Sequence, residues 1–164
     1  NDGHIDAAIC SRIISGSGLA HQKLVSERYV CLMDADHPRI ASGLTMEQFL
    51  AEPHALVTRT SGHGLTEDVL QKLGVKRRIK LRIPHFSVLP KLIPGTELLV
   101  ILPSQIAESF CEMPLAKPLK MLELPFDVPS FEVTLHWHSR STQSTGLNWF
   151  LEQIQATLGE PDVA

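Results

Sequence analysis

At 164 residues, with 43% hydrophobic and 20% charged side chains, the chain has ordinary globular composition and enough length to bury a core. Its formal net charge is -3 and its 15 Lys and Arg are scattered apart from Lys76, Arg77 and Arg78, which argues against a nucleic-acid footprint within these residues. The longest apolar run, Leu98 to Pro103, is far short of the roughly 20 residues that a membrane helix requires.

In chain order, short aliphatic runs alternate with helical patterns, which predicts a mainly parallel sheet with helical crossovers. Ile5 to Cys10 and Tyr29 to Met33 read as the first two strands. Thr45 followed three residues later by Gln48 is a capping box, opening a short helix through Phe49 and Leu50 that stops before Pro53. Ala55 to Thr58 reads as a strand, and Thr66 as the cap of a helix whose inner face holds Val69, Leu70 and Leu73 and whose left-handed exit is Gly74. Ile79, Leu81 and Ile83 alternate with Lys80 and Arg82, as in a strand with one wet face.

Phe86 to Ile93 predicts a helix containing or beginning near Pro90, left through a Pro94-Gly95 turn. Leu98 to Leu102 is apolar throughout and belongs at a sheet centre. Ser104 is expected to cap a helix through Ile106, Ala107 and Phe110 that Pro114 ends. Phe131, Val133, Leu135 and Trp137 share one strand face, with Glu132, Thr134, His136 and His138 opposite. Leu147, Phe150, Leu151, Ile154 and Leu158 mark the inner face of a closing amphipathic helix that ends at Gly159.

Motifs of catalysis are sparse. No Gly-x-Ser-x-Gly elbow is present, and Ser15-Gly16-Ser17-Gly18 lacks the Gly-Lys-Ser/Thr that a phosphate loop needs. His136 and His138 lie two apart on one strand face, but no second ligand pair accompanies them, so no metal and no cofactor are expected. Cys10, Cys31 and Cys111 are odd in number and lack zinc or redox spacings, which points to reduced thiols in a cytoplasmic protein.

In open α/β sheets, ligands gather beyond the carboxyl ends of strands, where helix N-termini offer N–H groups. Three such ends can be named here: Arg59 to His63, Pro84 to Phe86, and Pro103 to Gln105. Thr60, Ser61, Gly62 and Gly64 could cradle an anion, or equally form a solvated loop; Ser104 opens the third end. His85 can donate a hydrogen bond and Phe86 can stack on a ring, although a capping His and a core Phe explain the same residues.

Four segments in order carry a family likeness: Asp2-Gly3-His4-Ile5-Asp6-Ala7-Ala8-Ile9, Tyr29 to the His37-Pro38 corner, Leu81-Arg82-Ile83-Pro84-His85-Phe86, and Leu135-His136-Trp137-His138 with Trp149-Phe150-Leu151. Nearly end to end, the chain resembles the C-terminal part of LysR-type transcriptional regulators, especially the subgroup controlling nodulation genes and aromatic degradation. One departure is Cys10, where the family usually has Gly after the first strand, so Cys10 joins the residues expected to shape the ligand cleft.

The resemblance implies an α/β, type 2 periplasmic-binding-protein-like fold of two subdomains, truncated at its N-terminus, with a small effector, aromatic or carboxylate, held between them. Residues 1–25 and 132–164 would be a remnant of subdomain one, and 26–131 subdomain two. The DNA-binding winged helix would lie upstream of Asn1, so that promoter DNA is met only through that segment; the parent would be a dimer or tetramer without membrane contact. In that family the position of His85 looks like an effector contact, which makes His85 and Phe86 the leading site residues, followed by Thr60, Ser61, Gly62, Ser104 and Cys10. The implied function is effector sensing without catalysis. A transporter's solute receptor and a biosynthetic enzyme, which share the fold, are the competing readings.

Overall fold

The computed structural model describes residues 5–11, 14, 16–58 and 64–159. Its elements run β1 (Ala7–Cys10), β2 (Leu19–Glu27), β3 (Tyr29–Asp34), α1 (Met46–Ala51), β4 (Pro53–Val57), α2 (Leu65–Lys72), β5 (Arg78–Ile83), a 3-10 turn (Phe86–Val88), α3 (Leu89–Leu92), β6 (Leu99–Pro103), α4 (Ser104–Cys111), β7 (Leu119–Glu123), β8 (Phe131–His138), a second 3-10 turn (Ser139–Gln143) and α5 (Thr145–Leu158). They fall into two units, Arg28–Pro129 and the pair of segments Asn1–Glu27 with Ser130–Ala164.

In the unit Arg28–Pro129 one sheet has the order β5-β4-β6-β3-β7. β4 runs parallel to both β5 and β6, whereas β3 is antiparallel to β6 and β7. The expected mainly parallel sheet is therefore only half right. Parallel neighbours require a helical crossover, which α2 supplies between β4 and β5. β6 is the middle strand, as its unbroken apolar sequence predicts.

Strand alternation sends successive side chains to opposite faces, and each face has its own core. Val30, Leu32, Val57, Val100 and Leu102 point to the side where Leu89, Ile93, Ala107 and Phe110 of the α3–α4 segments cover them. Cys31, Met33 and Leu99 point to the other, under Phe49 of α1 and Leu70 of α2. Burying such a side chain contributes roughly 1.5–3 kcal/mol, so helices too short to persist alone are held by the sheet.

Local signals explain most helix ends. Thr45 accepts from the Gln48 amide while the Gln48 side chain accepts from Thr45 N–H, which is the expected capping box. Gly74 leaves α2 at φ +67. Thr96 N–H donates to Ile93 O at 3.0 Å across Pro94-Gly95, and Gly95 takes φ +75, the left-handed position of a type II turn. Two capping expectations fail. Thr66 and Ser104 lie inside the first turns of α2 and α4, both buried, and the cap positions are Gly64 and Pro103. Sequence cannot separate a capping hydroxyl from one turned into the core a single residue later. The helix expected over Phe86 to Ile93 splits into the 3-10 turn and the four-residue α3, with Pro90 in its first turn.

In the other unit β8 lies between β1 and β2 and is antiparallel to both. β1 begins at Ala7 instead of Ile5. Leu24, Val25 and Leu135 form its core, packed by Val133, Trp137, Leu151 and Ile154. β2 and β7 escape the sequence pattern because His21, Gln22 and Lys23 interrupt alternation, with a register shift between Lys23 and Val25, and because Lys120 breaks a short run. On the β8 face that carries Glu132, Thr134, His136 and His138, Thr134 and His136 are buried. Conversely Phe150 and Leu158, assigned to the inner face of α5, are about half exposed, and Trp149 is 61% exposed.

Candidate functional site

β4, β5 and β6 are parallel to one another, so their carboxyl ends, Val57, Ile83 and Pro103, lie at one side of the sheet. β4 and β5 stay joined past their ends, where Thr58 N–H donates to Ile83 O at 2.9 Å, and Ser104 N–H donates to Arg28 O at 2.9 Å where β6 passes into α4. Beside these ends Tyr29, Val57, Thr66, Glu67, Arg77 and Phe86 line a cavity of about 10 Å³, room for one water.

Two charged residues line this cavity, and Arg77 is buried more deeply than Glu67. The Arg77 side chain is only 3% exposed and its guanidinium donates to the Glu67 carboxylate, which is 24% exposed. The guanidinium carbon lies 6.0 Å from the Phe49 ring centroid, within cation–π range. Burial pushes the Arg77 pKa down, opposed by Glu67. Burial likewise raises the neighbouring Cys31 thiol to about 12, so Cys31 is an uncharged core residue.

Of the residues expected to bind, Phe86 is half-buried and reaches both this cavity and the core. His85 just before it is exposed and extended, at φ -138 and ψ 146, and occupies the cap position of the 3-10 turn without a side-chain capping hydrogen bond. Ser104 is buried at the start of α4. Cys10 belongs to the other unit, where its carbonyl accepts from the Thr134 hydroxyl at 3.2 Å. Thr60, Ser61 and Gly62 lie outside the described residues. Arg77 and Glu67 were not anticipated. Arg77 sits between Lys76 and the exposed Arg78, and nothing in a run of three bases tells which one turns inward.

Asp34, at the end of β3, and the corner after it hold a second polar cluster, beside an open depression of about 260 Å³ lined by Asp34, Asp36, Glu97 and Lys117. Asp34 accepts from Asp36 N–H at 2.8 Å and from Gly95 N–H, and these bonds, against the opposing effect of burial, lower its pKa. Arg39 forks onto buried Glu52 at 2.5 and 2.7 Å and reaches Glu97 at 2.7 Å. His37 Nδ1 accepts from Arg39 N–H at 3.3 Å, so Nε2 carries the proton donated to Glu97 O. Asp34, His37, Arg39, Glu52 and Glu97 all have partners within the fold, and together they clamp the His37-Pro38 corner.

The LysR substrate binding domain matches residues 1–159. The chain belongs to that family. It is 30% identical over 148 residues to the HTH-type transcriptional activator NagR of Ralstonia sp, covering 90% of this chain and 48% of the relative. To the HTH-type transcriptional activator NahR of Pseudomonas putida it is 28% identical, covering 96% of this chain and 51% of that one. The solved structure of a probable transcriptional regulator from Pseudomonas aeruginosa superposes with a TM-score of 0.76 at 28% identity, covering 94% of this chain and 50% of the other. The chain thus spans about half the length of the curated relatives it matches. The α/β, periplasmic-binding-protein-like fold implied by the resemblance is the one observed, and no helix among the described residues is long and apolar enough to cross a membrane.

Proposed function

We propose that this LysR substrate-binding domain is the effector-sensing and oligomerising module of a cytoplasmic transcription regulator, that it performs no catalysis, and that promoter DNA is read by another segment of the intact protein. The effector is a small aromatic or carboxylate molecule bound past the carboxyl ends of β4, β5 and β6, with His85, Phe86, Thr60, Ser61, Gly62 and Ser104 as contact residues. The observation that carries this is a cavity at the end of β4 lined jointly by an aromatic ring, Phe86, and a buried cation, Arg77. That combination suits an aromatic acid better than a sugar or a metal. The regulator relatives favour this reading over a transporter's solute receptor.

His85→Ala in the intact regulator, titrated with an inducing aromatic acid on a reporter promoter, tests the site. Loss of one charge-assisted hydrogen bond costs roughly 1.5–3 kcal/mol, about ten- to a hundredfold in inducer sensitivity, with basal operator binding unchanged. An inducer titration overlaying the wild type would remove His85 from the site.

A further inference from the structure

Arg77 is the most deeply placed charge of the described cavity, and its partner is unequally placed. The Arg77 side chain is 3% exposed and Glu67 24%. A buried guanidinium stripped of its carboxylate is strongly disfavoured, so Arg77 must keep an anion. Glu67, in the first turn of α2 and open to solvent on one side, can leave for water by a side-chain rotation; Arg77, packed against Phe49 and lining the cavity, cannot. The site is therefore built to hold some carboxylate permanently, while the identity of that carboxylate is exchangeable.

We propose that Glu67 is a resident stand-in for a ligand carboxylate: an effector's carboxylate displaces Glu67 from Arg77 and takes over the guanidinium fork. This rests on the effector-sensing reading above and adds to it the chemical class of the ligand head group and the residue that receives it. Departure of the Glu67 side chain into solvent vacates the volume that the incoming acid fills, since the adjoining cavity of about 10 Å³ has room for no more than a water. Phe86, Val57 and Tyr29 line the same cavity and offer apolar surface to the organic body of the ligand. Thr66, a buried residue of α2 that lines the same cavity, offers a second polar contact. Because Glu67 belongs to α2, its release frees the start of that helix from the Arg77 side chain, so that ligand capture is coupled to the hold on a secondary-structure element.

Arg77 Nε–H resonances of the 164-residue chain, assigned through Arg77→Lys, can be followed by NMR during titration with sodium benzoate, with benzamide and sodium chloride as controls at equal ionic strength. Benzoate should shift the Arg77 signal and benzamide should not. Glu67→Gln, which keeps the shape of the side chain but removes the competing charge, should tighten benzoate about tenfold. Arg77→Lys, which keeps charge without the fork, should weaken it by a similar factor. Melting curves of each variant show whether it is folded, and the Phe86 ring resonances report on the effector site independently. Benzoate perturbing Phe86 without Arg77 would overturn the exchange while leaving the effector site in place. No response at either residue, in the wild type and in Glu67→Gln, would sink both. Unchanged benzoate affinity in a folded Glu67→Gln would reduce the pair to a structural tie.

Discussion

His54 gives the sharpest stability prediction. It lies on β4 with no solvent exposure, edge-on to Phe49 at 4.6 Å between ring centroids, and its Nε2 donates to Phe49 O at 2.7 Å. A carbonyl can only accept, so Nε2 carries the proton and Nδ1 is left buried without a partner. Burial, opposed by that hydrogen bond and reinforced by Arg77, pushes the imidazole from 6.5 down to about 4. Between those values the unfolded chain binds a proton that the folded one refuses, so stability falls as pH drops below the unfolded value. Integrating this linkage from pH 7.5 to 5 gives a loss of about 2 kcal/mol, at 1.36 kcal/mol per pKa unit. His54→Leu removes the titration. It also strands Phe49 O, a penalty of about 1–3 kcal/mol, partly offset because the orphaned Nδ1 disappears. The variant should therefore be the less stable protein at pH 7.5 and close the gap by about 2 kcal/mol at pH 5. Urea unfolding of both proteins at a series of pH values measures this. Parallel stability curves from pH 7.5 to 5 would refute the depressed imidazole.

Three further outcomes follow from the same packing. Glu52, held below the ordinary carboxyl range chiefly by hydrogen bonds from Arg39, stabilises the fold above the unfolded carboxyl value and loses that contribution as pH falls through its folded one; Glu52→Gln should flatten acid unfolding below about pH 4.5 while lowering stability at pH 7, read by circular dichroism. Phe49→Ala should cost about 3–5 kcal/mol in denaturant unfolding, since its ring is fully buried between α1 and the sheet and touches His54 and Phe126. Gly95→Ala should lower stability by about 1 kcal/mol, because φ +75 is strained for any side chain and the turn aims Gly95 N–H at Asp34; a melting temperature equal to the wild type would show that the turn relaxes.

Periodicity and local capping made much of the fold legible. The alternation of Ile79, Leu81 and Ile83, the unbroken apolar run that became central β6, the Thr45–Gln48 box and the Gly74 and Gly95 exits are all set within a few residues, where steric and hydrogen-bond rules act directly. Strand direction, the inward turn of Thr134 and His136, and the exposure of Phe150 were not legible, because each depends on which distant segment lies opposite. The site divides in the same way. Phe86 could be placed at a strand end from the order of elements alone. Arg77 and Glu67 could not, since Arg77 is one of three consecutive bases and only the docking of α2 over the sheet decides which of them is taken out of water and given a carboxylate to hold.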